Sequence, residues 1–270
     1  MPKRWSKRCA PSKRYLRFTA EVAGRAAREA LAGGAGEVCA VFRRSFYVHS
    51  QGKYACVGDA ALGCGPLNVL VTAFEAPPMG TAVTVSLDAA KTWSPPAQRS
   101  ARPNLKALHA CLDGHVPDEG LGCVILGVHN ALSVHAQPAL EAIDRWLAGN
   151  TLGAETAQLI GLGPGLTPSG DDYLGGVLLA LRWLDRGTQA DSLWRWLEPR
   201  LAAGTSAISA AHLAAAAGGE AHEALHEVLR DLSAWEAPDL LPALSRLDSV
   251  GHTSGWDALA GIVAVARTSQ

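Results

Sequence analysis

The sequence predicts an α+β protein, with a β-rich N-terminal part packed against an all-helical C-terminal part. Three observations carry that expectation. Between Val38 and Leu87 the apolar runs are short, rich in Val, Phe, Tyr and Thr, and punctuated by Gly and Pro, which is the grammar of strands. From Pro138 onward apolar residues recur at helical spacing, and six of the eight tryptophans stand there among Leu and Ala, as core-facing helices require. With 270 residues, 48% of them apolar and 18% charged, the chain can bury a sizeable core and is not a disordered one.

The elements are expected in the following order. Residues 1–17, MPKRWSKRCAPSKRYLR, hold seven Lys or Arg and no acid, and read as a solvated basic tail or a basic arm for an acidic partner. A helix is expected over FTAEVAGRAAREALAGG, ending at Gly33-Gly34. Strands follow in VCAVFRRSFYVHS, YACVGDA, NVLVTAF and TAVTVSL. KTWSPPAQRSARP reads as a loop because of its prolines. A helix is expected around LKALHACLD and a strand at CVILGV. Helices are then expected near 138–149, 154–160, 170–185, 190–203, 206–217, 220–232, 238–247 and 254–267. This divides the chain into a tail (1–17), a β-rich domain (18–135) and a helical domain (136–270).

The formal net charge of −1 excludes a general pull toward nucleic acid or a membrane surface. No apolar run approaches the ~20 residues of a membrane span, and no apolar segment of a secretory signal follows the basic start. The six cysteines (Cys9, Cys39, Cys56, Cys64, Cys111, Cys123) contain no CxxC pair and read as buried free thiols. The expected location is the cytoplasm.

One motif occurs twice. Ser169-Gly170-Asp171-Asp172-Tyr173-Leu174-Gly175-Gly176 and Ser254-Gly255-Trp256-Asp257-Ala258-Leu259-Ala260-Gly261 both read SGxDxLxG, with Thr167 and Thr253 just upstream. As a helix start, each Ser would be an N-cap and each Asp three residues later would complete a capping box. A cap needs neither the preceding GLGPGL, where Gly163 and Gly165 permit positive φ, nor a second acid beside Asp172. A further hydroxyl-rich helix start, with Thr205, Ser206 and Ser209, lies between the two copies. Helix N-termini attract anions, so the three starts, if they meet, would line a site for a small anionic ligand.

Glycine loop and acids together leave the ligand open. GxxxxGK[ST] is absent, as is a strand–GxGxxG–helix unit, so nucleotide cradles are not predicted. Carboxylates near an anion need a mediator. Mg²⁺ held by Asp171 and Asp172 would serve, and so would a ligand joining an anionic end to an amide end. His252, ahead of the second copy, is either a general acid–base or a loop residue bonded to backbone. His222-Glu223-Ala224-Leu225-His226 matches HExxH, a zinc-hydrolase pattern. The extended version would need Gly and His where Leu229 and Leu232 stand, so a solvated polar helix face is expected instead.

LGPGLTPSGDDYLGG, TSAISAAHL and GHTSGWDALAG together resemble a bacterial family carried as a domain of unknown function, whose AllH-type members are assigned as a subunit of oxamate carbamoyltransferase. GPLNVLV and KTWSPP share in the likeness. The resemblance implies carbamoyl transfer between oxalurate and phosphate, giving oxamate and carbamoyl phosphate, inside a multi-subunit complex. It further implies that the helix starts at Ser169-Gly170 and at Thr253-Ser254-Gly255 hold the anionic ends. Asp171, Asp172 and Asp257 would then accept N–H bonds or hold Mg²⁺, with Thr205 and Ser206 on the wall. The Ser-Thr-Arg-Thr loop of familiar carbamoyltransferases is absent. A catalytic subunit and a non-catalytic scaffold or ligand-binding subunit both fit.

Overall fold

A computed structural model of the chain describes residues 15–97, 103–112, 114–234 and 239–268. Most of the basic tail, Cys9, Glu236 and the end of the proline-rich loop lie outside the described residues.

The N-terminal part is a closed six-stranded barrel with one added strand. Its strands are β1 (Leu16–Gly24), β2 (Ala35–Val41), β3 (Ser45–Ser50), β4 (Lys53–Gly58), β5 (Asn68–Val71) and β6 (Ala82–Ser86). The order around the barrel is β5-β4-β3-β2-β6-β1, and β1 closes the ring by pairing with β5. β1 manages both partners by switching along its length. Leu16 to Thr19 run parallel to β6, a register shift follows Ala20, and Ala20 to Ala23 pair antiparallel with β5. Closure leaves no unpaired edge within the ring. Phe18, Phe46, Val48, Val57, Val69 and Val83 fill the interior at alternate positions.

Two expectations are corrected here. The first half of FTAEVAGRAAREALAGG is strand β1 and only Arg25–Leu31 is helix, α1. Helix-favouring composition yields because residues 16–23 are the staves that close the barrel. Gly24 marks the switch, since a Cβ there would lie 2.1 Å from Gly65 O. The start of KTWSPP is also not loop. Lys91–Trp93 form β7, which pairs with Val22–Gly24 before the prolines end it.

The C-terminal part is helical: α2 (Leu105–Cys111), α3 (Ala131–Leu147), α4 (Ser169–Trp183), α5 (Gly187–Gly204), α6 (Ala207–Ala217), α7 (Glu223–Leu232), α8 (Leu241–Leu247) and α9 (Ser254–Arg267). The expected helix at 154–160 is a short 3-10 segment, Ala154–Leu159. CVILGV is not a strand. Gly122–Leu126 form a 3-10 turn ended by Gly127 at φ 69°, and the segment packs on α9, with Gly122 against Trp256.

The helical core is separate from that of the barrel, and α4 and α9 run through it buried along nearly their whole length. Their contact is backbone to backbone. A Cβ on Gly176 would meet Ala258 O at 1.9 Å, and one on Gly261 would meet Tyr173 O at 2.0 Å. Tyr173 and Gly176 occupy the same places in the first motif copy as Ala258 and Gly261 do in the second, so the two copies embrace reciprocally. Barrel and helices are joined by Tyr47 Oη–His212 Nε2 (3.1 Å), the Arg25–Glu220 ion pair (2.8 Å) and the Glu223 N–H donating to Cys64 O (2.8 Å).

Candidate functional site

The glycine-rich stretch is a loop of positive φ at Gly161 (71°), Gly163 (109°) and Gly165 (97°), conformations that disfavour other residues. It delivers the chain to Pro168, which is the N-cap of α4. Ser169 is therefore not a cap but the first helical residue, and Thr253 likewise precedes Ser254 in α9; neither helix has a side-chain cap. Capping boxes are thus corrected. The N–H groups of Asp171 and Asp172 turn to Pro168 O, and those of Trp256 and Asp257 to Thr253 O. The N–H groups of Gly170 and Gly255 are spent on Leu162 O (2.9 Å) and Val250 O (3.1 Å). Both glycines are there for packing, as a Cβ would lie 2.1 Å from Leu159 O and 2.6 Å from Leu247 O.

The three acids have different surroundings. Asp171 is buried and saturated: Oδ1 accepts from Gly161 N (2.9 Å), and Oδ2 from Ser209 Oγ (2.6 Å) and Thr205 Oγ1. It ties the glycine loop and the start of α6 to α4. Ser206 caps α6 through Ser209 N (3.0 Å) and donates to Leu166 O (2.5 Å). Asp257 is fully buried, accepting from Leu121 N (2.5 Å) and Thr253 Oγ1 (2.8 Å). Burial raises its pKa, and these donors together with the Ser169 hydroxyl and Gly122 N–H draw it back.

Asp172 differs from both. Its Oδ2 is sealed from solvent and has no hydrogen-bond partner of regular geometry. Burial pushes its pKa well above the usual carboxylate range, and the charges of Asp257 and Asp171 push the same way. The hydroxyls of Ser254 and Thr167 stand close enough to oppose that rise, and they lie 3.1 Å from each other. A crossed pattern results, in which Ser254 of α9 serves Asp172 of α4 while Ser169 of α4 serves Asp257 of α9.

These groups face a cleft of about 1260 Å³ between the helices and the barrel. Of the residues picked out in the sequence, Gly165, Thr167, Ser169, Asp171, Asp172, Ser209, His252, Thr253 and Ser254 line it. Gly163, Gly170, Thr205, Ser206, Gly255 and Asp257 stand behind that wall and support it. His252 sits at the rim, exposed, with Nε2 2.9 Å from Glu119. The barrel contributes Arg43 and Arg44 from the β2–β3 turn, Tyr47, Cys56 and Asn68, and α6 contributes His212. Burial lowers the His212 pKa to about 4, aided by His222, and Tyr47 is raised well above its ordinary value by burial first. Sequence reading passed over these. The adjacent arginines between two strands and the lone Asn opening NVLV were the available signals.

Both Asp171 oxygens accept from protein donors, so a cation shared with Asp172 would have to sit beside those bonds. Among the described residues no three His, Cys, Asp or Glu side chains converge to hold a metal. The HEALH segment is not a ligand pair either. His222 precedes α7, accepting from Ala224 N (3.2 Å) at Nδ1 and bonding Leu62 O (2.9 Å) at Nε2. His226 is buried, and its Nε2 accepts from Ala221 N (3.1 Å). The expected solvated face is corrected accordingly: Glu220 pairs with Arg25, and both histidines are held near neutral by burial. Five cysteines, Cys39, Cys56, Cys64, Cys111 and Cys123, are free thiols, of which Cys56 and Cys123 are buried. Among the described residues no helix is long and apolar enough to cross a membrane.

Fold and cleft together define a two-part α+β protein with a ligand-sized space between a closed barrel and a helical wall. Residues 159–266 match the family described as oxamate carbamoyltransferase subunit AllH. The matched span runs from the glycine-rich stretch into α9 and so contains both SGxDxLxG copies; GPLNVLV and KTWSPP lie outside it. The family's description is that of a subunit, one chain of a larger enzyme. No curated protein and no solved structure matches the chain.

Proposed function

We propose that this chain is a subunit of a carbamoyltransferase acting on oxamate or oxalurate and on carbamoyl phosphate or phosphate, and that the cleft binds its small, anionic, amide-type ligand. The observation that carries the reading is the meeting of Asp172, Ser254 and Thr167 on one cleft wall. A ligand amide in the cleft would bond the part of the Asp172 carboxyl group that reaches it, beside these two hydroxyls. The family match supports the reaction class and the presence of partner subunits. The 136–270 part would then be the ligand-binding wall, and the complex would work in the cytoplasm.

A second reading, a ligand-binding subunit without chemistry of its own, is favoured by one feature. Asp171 and Asp257, two of the three acids, have their oxygens taken by protein donors. A thermal-shift panel with oxamate, oxalurate, carbamoyl phosphate and phosphate, on wild type and Asp172→Ala, tests ligand binding for both. A ligand at 100 times its dissociation constant stabilises the native state by about 2.7 kcal/mol. A shift lost in the variant supports the cleft as the site, whereas an undiminished shift places the ligand elsewhere. Carbamoyl phosphate formation by the chain with its co-purifying partners, but not by the chain alone, distinguishes a shared active site from a self-sufficient one.

A further inference from the structure

We propose that the ligand lies across the cleft with its amide end on the Asp172 carboxyl and its anionic end on Arg43 of the β2–β3 turn. This placement rests on the amide-acid reading above and reverses the orientation implied by the helix starts.

The α4 and α9 starts are poor anion holders in this fold. The second residue of each helix has spent its N–H on a loop carbonyl, and the next N–H groups turn back to Pro168 O and Thr253 O. Only the Ser169 and Ser254 N–H groups remain at the first turns, beside three carboxyl groups. An anion placed there would meet acid rather than base.

Asp172 fits an amide instead. Burial and the neighbouring acids favour its neutral form. A neutral carboxyl can offer an O–H donor or a carbonyl acceptor, and with Oδ2 sealed the other oxygen makes a single bond to the amide carbonyl or N–H. Thr167 and Ser254 hydroxyls flank it and can take the second amide hydrogen.

Arg43 fits the other end. It lines the same cleft from the barrel, at a turn closed by Phe42 N donating to Ser45 O (2.8 Å). The remaining charges around the cleft are largely engaged. Arg44 reaches Asp59, Glu220 pairs with Arg25, Glu119 with His252, and Asp248 accepts from Trp256 Nε1. Asp118 is exposed at the rim. Arg43 has no hydrogen bond or ion pair among the described residues. A guanidinium fork matches a carboxylate or phosphate in two parallel bonds.

The test is titration calorimetry of the full-length chain with oxamate and, separately, inorganic phosphate. Asp172→Asn keeps one donor and one acceptor, so oxamate affinity is expected to stay within about threefold of wild type, while Asp172→Ala loses about tenfold or more. Arg43→Gln, an exposed substitution that leaves the fold intact, is expected to lose about tenfold or more for both ligands. Wild-type binding that is unchanged in Arg43→Gln, or Asp172→Asn as damaging as Asp172→Ala, overturns the placement while leaving the proposed function standing. Absence of binding by wild type to either ligand overturns both.

Discussion

Two adjacent glycines on α4 are expected to respond to alanine with opposite signs. Gly175 faces the cleft, and a Cβ there would find nothing closer than 3.9 Å. Removing a helix-interior glycine then stabilises by about 0.5–1 kcal/mol. Gly176 faces α9, and its Cβ would lie 1.9 Å from Ala258 O and 2.7 Å from the carbonyl carbon, where real Cβ atoms essentially never come within 3.0 Å. The obstacle is backbone, so no rotamer change relieves it, and two helices buried along their contact must part by about an ångström. Overpacking of this kind costs about 3 kcal/mol, offset by about 1 kcal/mol of helix propensity, for a net loss near 2 kcal/mol. Gly261→Ala strikes Tyr173 O at 2.0 Å and Val177 N at 2.8 Å, and should behave like Gly176→Ala. Once one Cβ has separated the helices the second meets less resistance, so the double variant should lose less than the sum. Urea unfolding followed by far-UV circular dichroism measures all four proteins. In thermal melts the expected changes are a fall of roughly 4–8 °C for Gly176→Ala and a rise of roughly 1–4 °C for Gly175→Ala. A Gly176→Ala protein as stable as wild type would refute the reciprocal glycine contact.

Three further expectations follow from the buried polar groups. Asp171→Ala strands the Gly161 N–H and the Thr205 and Ser209 hydroxyls, and should cost about 3 kcal/mol or more in denaturant unfolding. Asp172→Ala strands no regular donor and should cost less than about 1 kcal/mol, a contrast between neighbours that equal losses would contradict. His226 is buried with its pKa lowered to about 4, by burial first and by His222 second. Its folded form binds protons more weakly than its unfolded form, so its contribution is fully present above pH ~6.5 and is lost as pH falls toward 4, on the order of 3 kcal/mol. Unfolding midpoints measured across that window should fall less steeply in His226→Gln than in wild type; parallel curves would remove His226 from the account. Because the lone pairs of His222 and His226 already accept backbone N–H bonds, elemental analysis of the dialysed protein should find no stoichiometric zinc bound through HEALH. One tightly held zinc per chain, lost in His222→Ala, would reverse that assignment.

Periodicity exposed most helices and strands of this chain because each buries one face, and burial writes a period into the sequence. It misread several places where context outweighs composition, two of them instructive. Residues 18–24 look helical by content yet form a strand, since what decides them is a ring of partners drawn from residues 68–86. CVILGV looks like a strand, yet it is a 3-10 turn packed on α9, where Gly122 meets Trp256. The candidate site divides in the same way. The repeated SGxDxLxG was legible as a pair because both copies meet the same physical demand, a helix whose first turn and last glycine must approach its twin. What each position does was not legible. The Ser-to-Asp spacing of a capping box is also the spacing that lets the Ser of one helix serve the Asp of the other, and only the α4–α9 contact separates those outcomes. Arg43 left still less trace, because a basic pair between two strands is what any solvated turn shows. Its interest comes from a helical wall more than a hundred residues away in sequence, whose acids are held by protein donors or biased toward the neutral form. On the proposed placement, with Asp171 and Asp257 spent on holding loops and Asp172 biased to its neutral form, an anionic ligand would be balanced from the opposite side, where the β2–β3 turn brings Arg43, a cation unpaired among the described residues.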